Sequence, residues 1–143
     1  MADVVIIGAG PAGIFTALEL TRQSSDLDIV MVEQGKDITE RSRNGREMLV
    51  GWGGAGAYSD GKLTISTDVG GQLSTLLNDE ELMALLDEVD RIYTSYEPGY
   101  GIFSVDPDDA ARISARARLA GLVYIPTKVR HIGTENCYTI LKD

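Results

Sequence analysis

The order of apolar and polar positions over the first 33 residues is typical of a βαβ unit. Residues 3–8 contain the β-branched run Val4–Ile7, which predicts a central parallel strand buried on both faces. A helix face follows, with the i, i+3, i+4, i+7 spacing of Ile14, Ala17, Leu18 and Thr21. After a polar turn at 24–26, the apolar run 29–32 predicts a second strand, and the three elements together predict a right-handed βαβ unit.

The remainder of the chain shows mostly helical spacing. Asn78 and Glu81 form a capping box that opens a long amphipathic helix, which Glu97-Pro98-Gly99 ends. A second helix is predicted to start at Asp106-Pro107 and to end at Gly121.

Two short strands are also predicted, at Leu122–Ile125 and at Tyr138–Leu141. The fold class is therefore α/β. We expect a parallel βαβ start over residues 1–71 and a largely helical α/β second region over 72–143.

Composition narrows the class of protein. The chain has 143 residues, enough for one domain, and a net charge of −9, which argues against nucleic acid and anionic membrane surfaces as partners. Its single cysteine, Cys137, excludes an internal disulfide and suits a reducing compartment. No leader or apolar span is visible, so we expect a soluble, cytoplasmic protein.

The turn between the first strand and the helix has the spacing Gly8-x-Gly10-x-x-Gly13, with Glu33 twenty positions after the last glycine. In such a fingerprint the first glycine permits the turn, the second allows close approach of a pyrophosphate, and the third allows helix–strand packing. The amides that open the helix attract phosphate, and Glu33 accepts hydrogen bonds from ribose hydroxyls. A carboxylate there would repel a 2′-phosphate, which disfavours NADP, but the fingerprint does not separate FAD from NAD.

A second glycine-rich segment covers residues 51–61. Small residues there let backbone lie against a flat or charged ligand, and exposed amides can form an anion-binding nest. The alternative is a flexible linker or hairpin tip, although Trp52, Tyr58 and Leu63 are unusual in a linker. The spacing by itself leaves the two interpretations equally open.

The segments IIGAGPAG, VEQGKDITER and GWGGAGAYSDGKLTIS closely resemble the FAD-dependent dehydrogenases often labelled NAD(FAD)-utilizing dehydrogenases. IPTKVRHIGTEN, over residues 125–136, extends the resemblance along nearly the whole chain. The resemblance implies FAD as the cofactor. It also implies cofactor contacts in four places: the pyrophosphate at Gly8, Ala9, Gly10, Pro11, Ala12 and Gly13; the adenosine ribose at Glu33; Gln34 and Arg41 beside it; and the pyrophosphate or flavin ring near Gly53, Gly54, Ala55 and Gly56.

The chain departs from that family in two ways. Many relatives carry a cysteine cluster between the arginine near position 41 and the glycine loop, whereas this chain has Arg43-Asn44-Gly45-Arg46. Relatives are also much longer, and their remaining flavin contacts would lie beyond Asp143. We therefore expect the N-terminal portion of a larger flavoprotein. It would comprise the N-terminal part of a Rossmann-type FAD-binding domain over residues 1–71 and the incomplete start of a helical α/β substrate or cap region over residues 72–143.

The function favoured at this point is an FAD-dependent oxidoreductase, of the dehydrogenase type, acting on a small molecule that the sequence does not identify. NAD(P)H is a candidate electron partner, and a partner chain or a second copy is a candidate association. Two alternatives stay open: a non-catalytic nucleotide-binding module that needs a partner chain, and an NAD-binding dehydrogenase. No catalytic residue or metal ligand is assigned. The sequence identifies no catalytic base or nucleophile that would act with His131, and Cys137 is not part of a CxxC motif, so both residues are interpreted as structural.

Overall fold

The structure is a computed structural model that describes residues 1–96 and 98–143. Its strands and helices, in chain order, are β1 (Val4–Ile7), α1 (Pro11–Gln23), β2 (Ile29–Val32), β3 (Lys62–Ile65), α2 (Asp79–Tyr96), β4 (Ile102–Phe103), α3 (Pro107–Leu119), β5 (Lys128–His131) and α4 (Thr134–Lys142). Short 3₁₀ helices cover Ile38–Glu40, Gly45–Met48, Gly54–Tyr58 and Leu73–Thr75. The predicted α/β class is confirmed. Of Glu97-Pro98-Gly99, which the sequence predicts to end the long helix, Glu97 lies outside the described residues.

The chain divides into two compact units, one formed by residues 1–60 with 133–143 and the other by residues 61–132. A domain boundary after residue 71 stays a sequence-based prediction.

The first unit contains the predicted βαβ start. Strands β1 and β2 pair in parallel, with Val4 opposite Ile29 and Ile7 opposite Val32, and α1 packs against both. Helix α4 packs on the 3₁₀ helix Gly54–Tyr58. The core of this unit is Ile38, Ala57 and Leu141, all at most 2% exposed.

One face of the β1–β2 sheet is open, contrary to the expectation of strands buried on both faces. Residues alternate along each strand, and Val5, Ile7, Val30 and Val32 are 58%, 87%, 42% and 50% exposed. Ile6, on the opposite face, lies toward α1, since a Cβ at Gly13 would stand 3.3 Å from its Cγ2. The helix therefore covers a single face of this sheet.

The second unit is built on an antiparallel sheet in the order β3-β5-β4, with α2 against β3. The predicted capping box is confirmed, because Asn78 and Glu81 exchange two 3.0 Å hydrogen bonds between the side chain of each and the backbone N–H of the other. The Asp106 carboxylate caps α3 by accepting from the N–H of Asp108 at 2.9 Å. Arg130 on β5 forms an ion pair with Asp90 on α2, which joins the helix to the sheet.

Two predicted strands are wrong. Residues 122–127 adopt no regular structure, and the strand in this part of the chain is β5, which starts at Lys128. Residues 138–141 lie within helix α4, where Cys137, Ile140 and Leu141 are buried on one face. The i, i+3, i+4 spacing of these three residues explains the helix, since packing of that face outweighs the local β-propensity of Tyr138-Thr139-Ile140.

Candidate dinucleotide-binding site

The turn between β1 and α1 leads into a helix start that no side chain caps. Gly8 has a φ of 99°, in the region that favours glycine, and it takes the chain from the strand into the turn. Gly10 is the N-cap of α1 and Pro11 its first residue, and no side chain caps the helix. The amides of the first helical turn therefore have no intrahelical partner and carry the positive end of the helix dipole.

Gly10 and Gly13 serve different purposes. A Cβ at Gly13 would lie 2.0 Å from the carbonyl oxygen of Gly8, so a side chain there is blocked by the protein itself. A Cβ at Gly10 would meet only the Cα of Gly54, at 4.0 Å, and Gly10 has an ordinary extended conformation (φ −78°, ψ 179°). The fold therefore leaves the space in front of Gly10 open, as a ligand that approaches the backbone would require.

Glu33, at the end of β2, binds three main-chain amides. Its Oε2 accepts from the N–H of Ala9 at 2.9 Å, and its Oε1 accepts from Gly35 at 2.9 Å and from Gly51 at 3.1 Å. These bonds, that from Ala9 foremost and that from Gly35 next, hold the pKa of the carboxyl below its ordinary value of 4.5. Glu33 is therefore ionised at neutral pH. A carboxylate has about four acceptor positions, so three amides leave one for a ribose hydroxyl.

The second glycine segment lies against the first. The N–H of Gly53 donates to the carbonyl of Ala9 at 2.7 Å. A Cβ at Gly54 would stand 3.0 Å from the Cα of Gly10, and one at Gly56 would stand 2.4 Å from the Cγ of Pro11. Glycine at these positions lets the two loops touch, which a flexible linker would not require. Residues 53–56 therefore border the turn that the sequence assigns to the pyrophosphate.

Arg41 holds this second loop from the other side. Its buried guanidinium donates to the carbonyl of Glu47 from Nε (3.0 Å) and Nη2 (2.8 Å), to that of Trp52 from Nη1 (2.6 Å), and to that of Gly54 from Nη2 (2.9 Å). The Arg41 Cζ atom lies 4.8 Å from the centroid of the Tyr58 ring, a distance typical of a cation–π contact. The side chain thus binds backbone, and its placement beside the ribose stays a prediction.

The remaining predicted site residues are exposed. Ala12, Gln34 and Ala55 are all exposed, with Ala12 in the first turn of α1 and Gln34 directly after Glu33. Their contacts with the cofactor stay predictions. Trp52 makes a contact that the sequence did not reveal, because its Nε1 donates to the carbonyl of Leu141 at 2.7 Å and ties α4 to the glycine loop. Nothing local in the sequence signals a bond between residues that far apart.

Cys137 belongs to helix α4 of the first unit, and His131 belongs to strand β5 of the second unit. Burial, and then the charge of Asp60, raise the pKa of the Cys137 thiol, so it stays protonated at neutral pH. His131 is exposed at the end of β5. Among residues 1–96 and 98–143 no group of His, Cys, Asp and Glu has the arrangement of a metal site, and no helix is long and apolar enough to cross a membrane.

An open backbone at Gly10, an uncapped helix start and an ionised carboxylate at the end of the next strand fit an adenosine diphosphate group. The class of protein defined by this fold and site is the dinucleotide-binding Rossmann-type protein. The comparison with protein families narrows this class, since the model of the FAD-dependent oxidoreductases (DAO) matches residues 3–132. The chain belongs to that family, and FAD is the cofactor of the family.

Two longer proteins are similar in sequence. An uncharacterized protein of Clostridium beijerinckii is 37% identical over 100 residues, which cover 62% of this chain and 16% of that protein. A monooxygenase of Claviceps purpurea is 28% identical over 127 residues, which cover 89% of this chain and 23% of that protein. The chain thus spans less than a quarter of either relative. No solved structure matches it significantly.

Proposed function

We propose that this chain forms the ADP-binding half of the FAD site in a flavin-dependent dehydrogenase. The observation that carries the proposal is the open space at Gly10, which stands between an uncapped helix start and the ionised Glu33. Bound FAD supplies the hydride or electron transfer through its flavin N5. The residues of this chain bind and orient the adenosine end, and we assign none of them to catalysis.

The same site favours FAD or NAD over NADP. The Glu33 carboxylate already accepts three amides and has room for a hydroxyl donor, whereas a 2′-phosphate brings oxygen acceptors and negative charge. NADPH, if it is the electron donor, would therefore bind at another site.

A titration of the purified protein tests the cofactor. We expect FAD to bind and ADP to displace it, whereas FMN, which lacks the adenosine monophosphate part of FAD, should bind far more weakly. NADP⁺ should compete more weakly than NAD⁺. Equal affinity for FMN and FAD, or failure of ADP to compete with FAD, would show that the adenosine end is not what this site holds.

We further propose that the chain is the N-terminal part of a longer flavoprotein. The support is the small share of each relative that it covers, 16% and 23%, together with the exposed apolar face at Val5, Ile7, Val30 and Val32. An open sheet face of this kind is normally covered by further polypeptide. As it stands, the chain would then be a nucleotide-binding module that needs additional chain for turnover.

Retention of flavin during purification distinguishes a chain that needs further polypeptide from a chain that holds FAD by itself. We expect the 143-residue chain to lose FAD during gel filtration, and the chain extended by the sequence encoded after Asp143 to elute yellow. A 143-residue chain that keeps stoichiometric flavin and reduces it with a donor would contradict the proposal.

A further inference from the structure

The buried Arg41 is joined to the dinucleotide turn by a row of hydrogen bonds through two peptide groups. Its Nη1 donates to the carbonyl of Trp52 at 2.6 Å, and the N–H of the next residue, Gly53, donates to the carbonyl of Ala9 at 2.7 Å. In a trans peptide the C=O and the N–H point in opposite directions, and none of the described peptide bonds is cis. The peptide between residues 52 and 53 therefore bridges the guanidinium and the turn.

The second peptide in the row joins Ala9 to Gly10. Its carbonyl accepts from Gly53, so its N–H, which belongs to Gly10, points away from the second loop. No acceptor in the described part of the chain takes up this N–H. The row thus begins at the positive charge of Arg41 and ends at the N–H of Gly10, the residue whose Cβ position is open.

The dipoles of the 52–53 and 9–10 peptides point in the same direction along this row, and the positive guanidinium of Arg41 lies at its start. The guanidinium attracts the Trp52 oxygen, which polarises the peptide and makes the Gly53 N–H a stronger donor, and the same effect passes to the next peptide. Hydrogen bonds in such rows strengthen one another by roughly 10–30% each. The Gly10 N–H therefore carries more positive charge than an isolated amide would.

From this geometry we infer that Arg41 is a positioning residue for the cofactor pyrophosphate, acting through the 52–53 and 9–10 peptides to aim and polarise the Gly10 N–H. This inference rests on the proposed function, because it assumes that a diphosphate lies in front of Gly10. It also explains a buried arginine whose hydrogen bonds all go to backbone carbonyls.

Arg43 provides a matched control. Its guanidinium lies 5.5 Å from the same Tyr58 ring, but it pairs with Glu135 at 2.9 Å and its side chain is 52% exposed. Arg43→Met removes a guanidinium from the same neighbourhood without touching the row, whereas Arg41→Met removes the start of the row.

The first measurement uses the protein without ligand. In Arg41→Met we expect the NMR signal of the Gly10 amide proton to shift upfield. The Gly53 amide should exchange with solvent at least about tenfold faster, because the bond from Arg41 to the Trp52 carbonyl, which holds the same peptide group, is lost. Arg43→Met should leave both amides unchanged. Arg41→Lys, which keeps the charge but not the fork of donors, should give a partial shift and serves if the methionine variant fails to fold. Unchanged Gly10 and Gly53 amides in both Arg41 variants would overturn the inference.

The second measurement compares ADP with adenosine. We expect Arg41→Met to weaken ADP binding by about tenfold, the effect of losing one well-aligned hydrogen bond from the Gly10 N–H to the diphosphate. Adenosine binding should weaken by less than about twofold. Equal weakening of both ligands would indicate loss of folded protein and contradict the inference. Failure of the unaltered protein to bind ADP would refute the proposed function, while the amide measurements would still decide whether the row exists.

Discussion

A methyl group added at Gly10 should weaken ADP binding but leave the stability of the fold nearly unchanged. The same group added at Gly13 should destabilise the fold. At Gly10 the added Cβ meets only the Gly54 Cα, at 4.0 Å, and the backbone angles suit any residue. Replacing glycine by alanine gains about 0.4–1 kcal/mol from the unfolded chain, and the poorer N-cap costs roughly the same. The free energy of unfolding of Gly10→Ala should therefore stay within about 1 kcal/mol of that of the unaltered protein.

At Gly13 the same methyl group would stand 2.0 Å from the Gly8 oxygen and 3.3 Å from the Ile6 side chain. Helix propensity favours alanine by about 1 kcal/mol, but a contact this short forces the backbone to move, and overpacking costs about 1–3 kcal/mol or more. The contact is with main chain, which has little freedom to move. We therefore expect Gly13→Ala to unfold at clearly lower denaturant concentration.

Chemical denaturation and ADP titration of the two variants check this reasoning. Gly10→Ala should fold normally and lose ADP affinity, Gly10→Val should lose more, and Gly101→Ala serves as the control because a Cβ there meets nothing within 4 Å. Undiminished ADP binding by Gly10→Val would mean that the turn is not the phosphate site. Equal stability loss in the Gly10 and Gly13 alanine variants would refute the distinction drawn from the contacts.

Two further substitutions probe the contacts around the turn. Glu33→Gln should lower the free energy of unfolding at pH 7 by about 1–3 kcal/mol, because the new NH₂ group faces amide donors. The folded-state pKa of Glu33 lies below its ordinary 4.5, so its contribution is present above that value and lost as the pH falls through the folded pKa. Thermal unfolding at a series of pH values should show the gap to the unaltered protein shrink below pH 4.5, and a constant gap would contradict this account. Trp52→Phe removes the bond to the Leu141 carbonyl and should cost about 1 kcal/mol, with faster hydrogen exchange along α4; unaltered exchange there would show that the bond does not hold the helix.

The parts of the fold that the sequence predicts well are those with local signals. The Gly8-x-Gly10-x-x-Gly13 turn, the Asn78–Glu81 capping box and the Asp106 cap each involve residues within a few positions of one another. The two wrong strands illustrate the limit of local patterns. Tyr138–Leu141 has strand-forming residues, yet it forms helix because Cys137, Ile140 and Leu141 pack on one side. The decisive contact there is with a segment some eighty residues earlier, which no local pattern contains.

The candidate site shows the same division. The sequence predicts Glu33 at the end of the second strand, but not that its carboxylate also binds the amide of Gly51. It singles out Arg41 and the glycine segment separately, but not the bonds that hold the one to the other. Both are contacts between backbone and a distant side chain, and backbone amides and carbonyls carry no residue-specific signal.

These contacts also bear on how a chain with a net charge of −9 would hold an anion at the proposed site. Charges farther away than the screening length of about 8 Å have little effect at physiological salt, so the immediate surroundings of the turn decide. There the negative Glu33 carboxylate accepts hydrogen bonds from three backbone amides. The positive Arg41 guanidinium polarises the two peptide groups that lead to Gly10. Hydrogen-bond donors are therefore available at the turn even though the whole chain is negatively charged. On this reasoning, added salt should weaken ADP binding only slightly, because the groups that hold the anion are close to it and partly shielded from solvent.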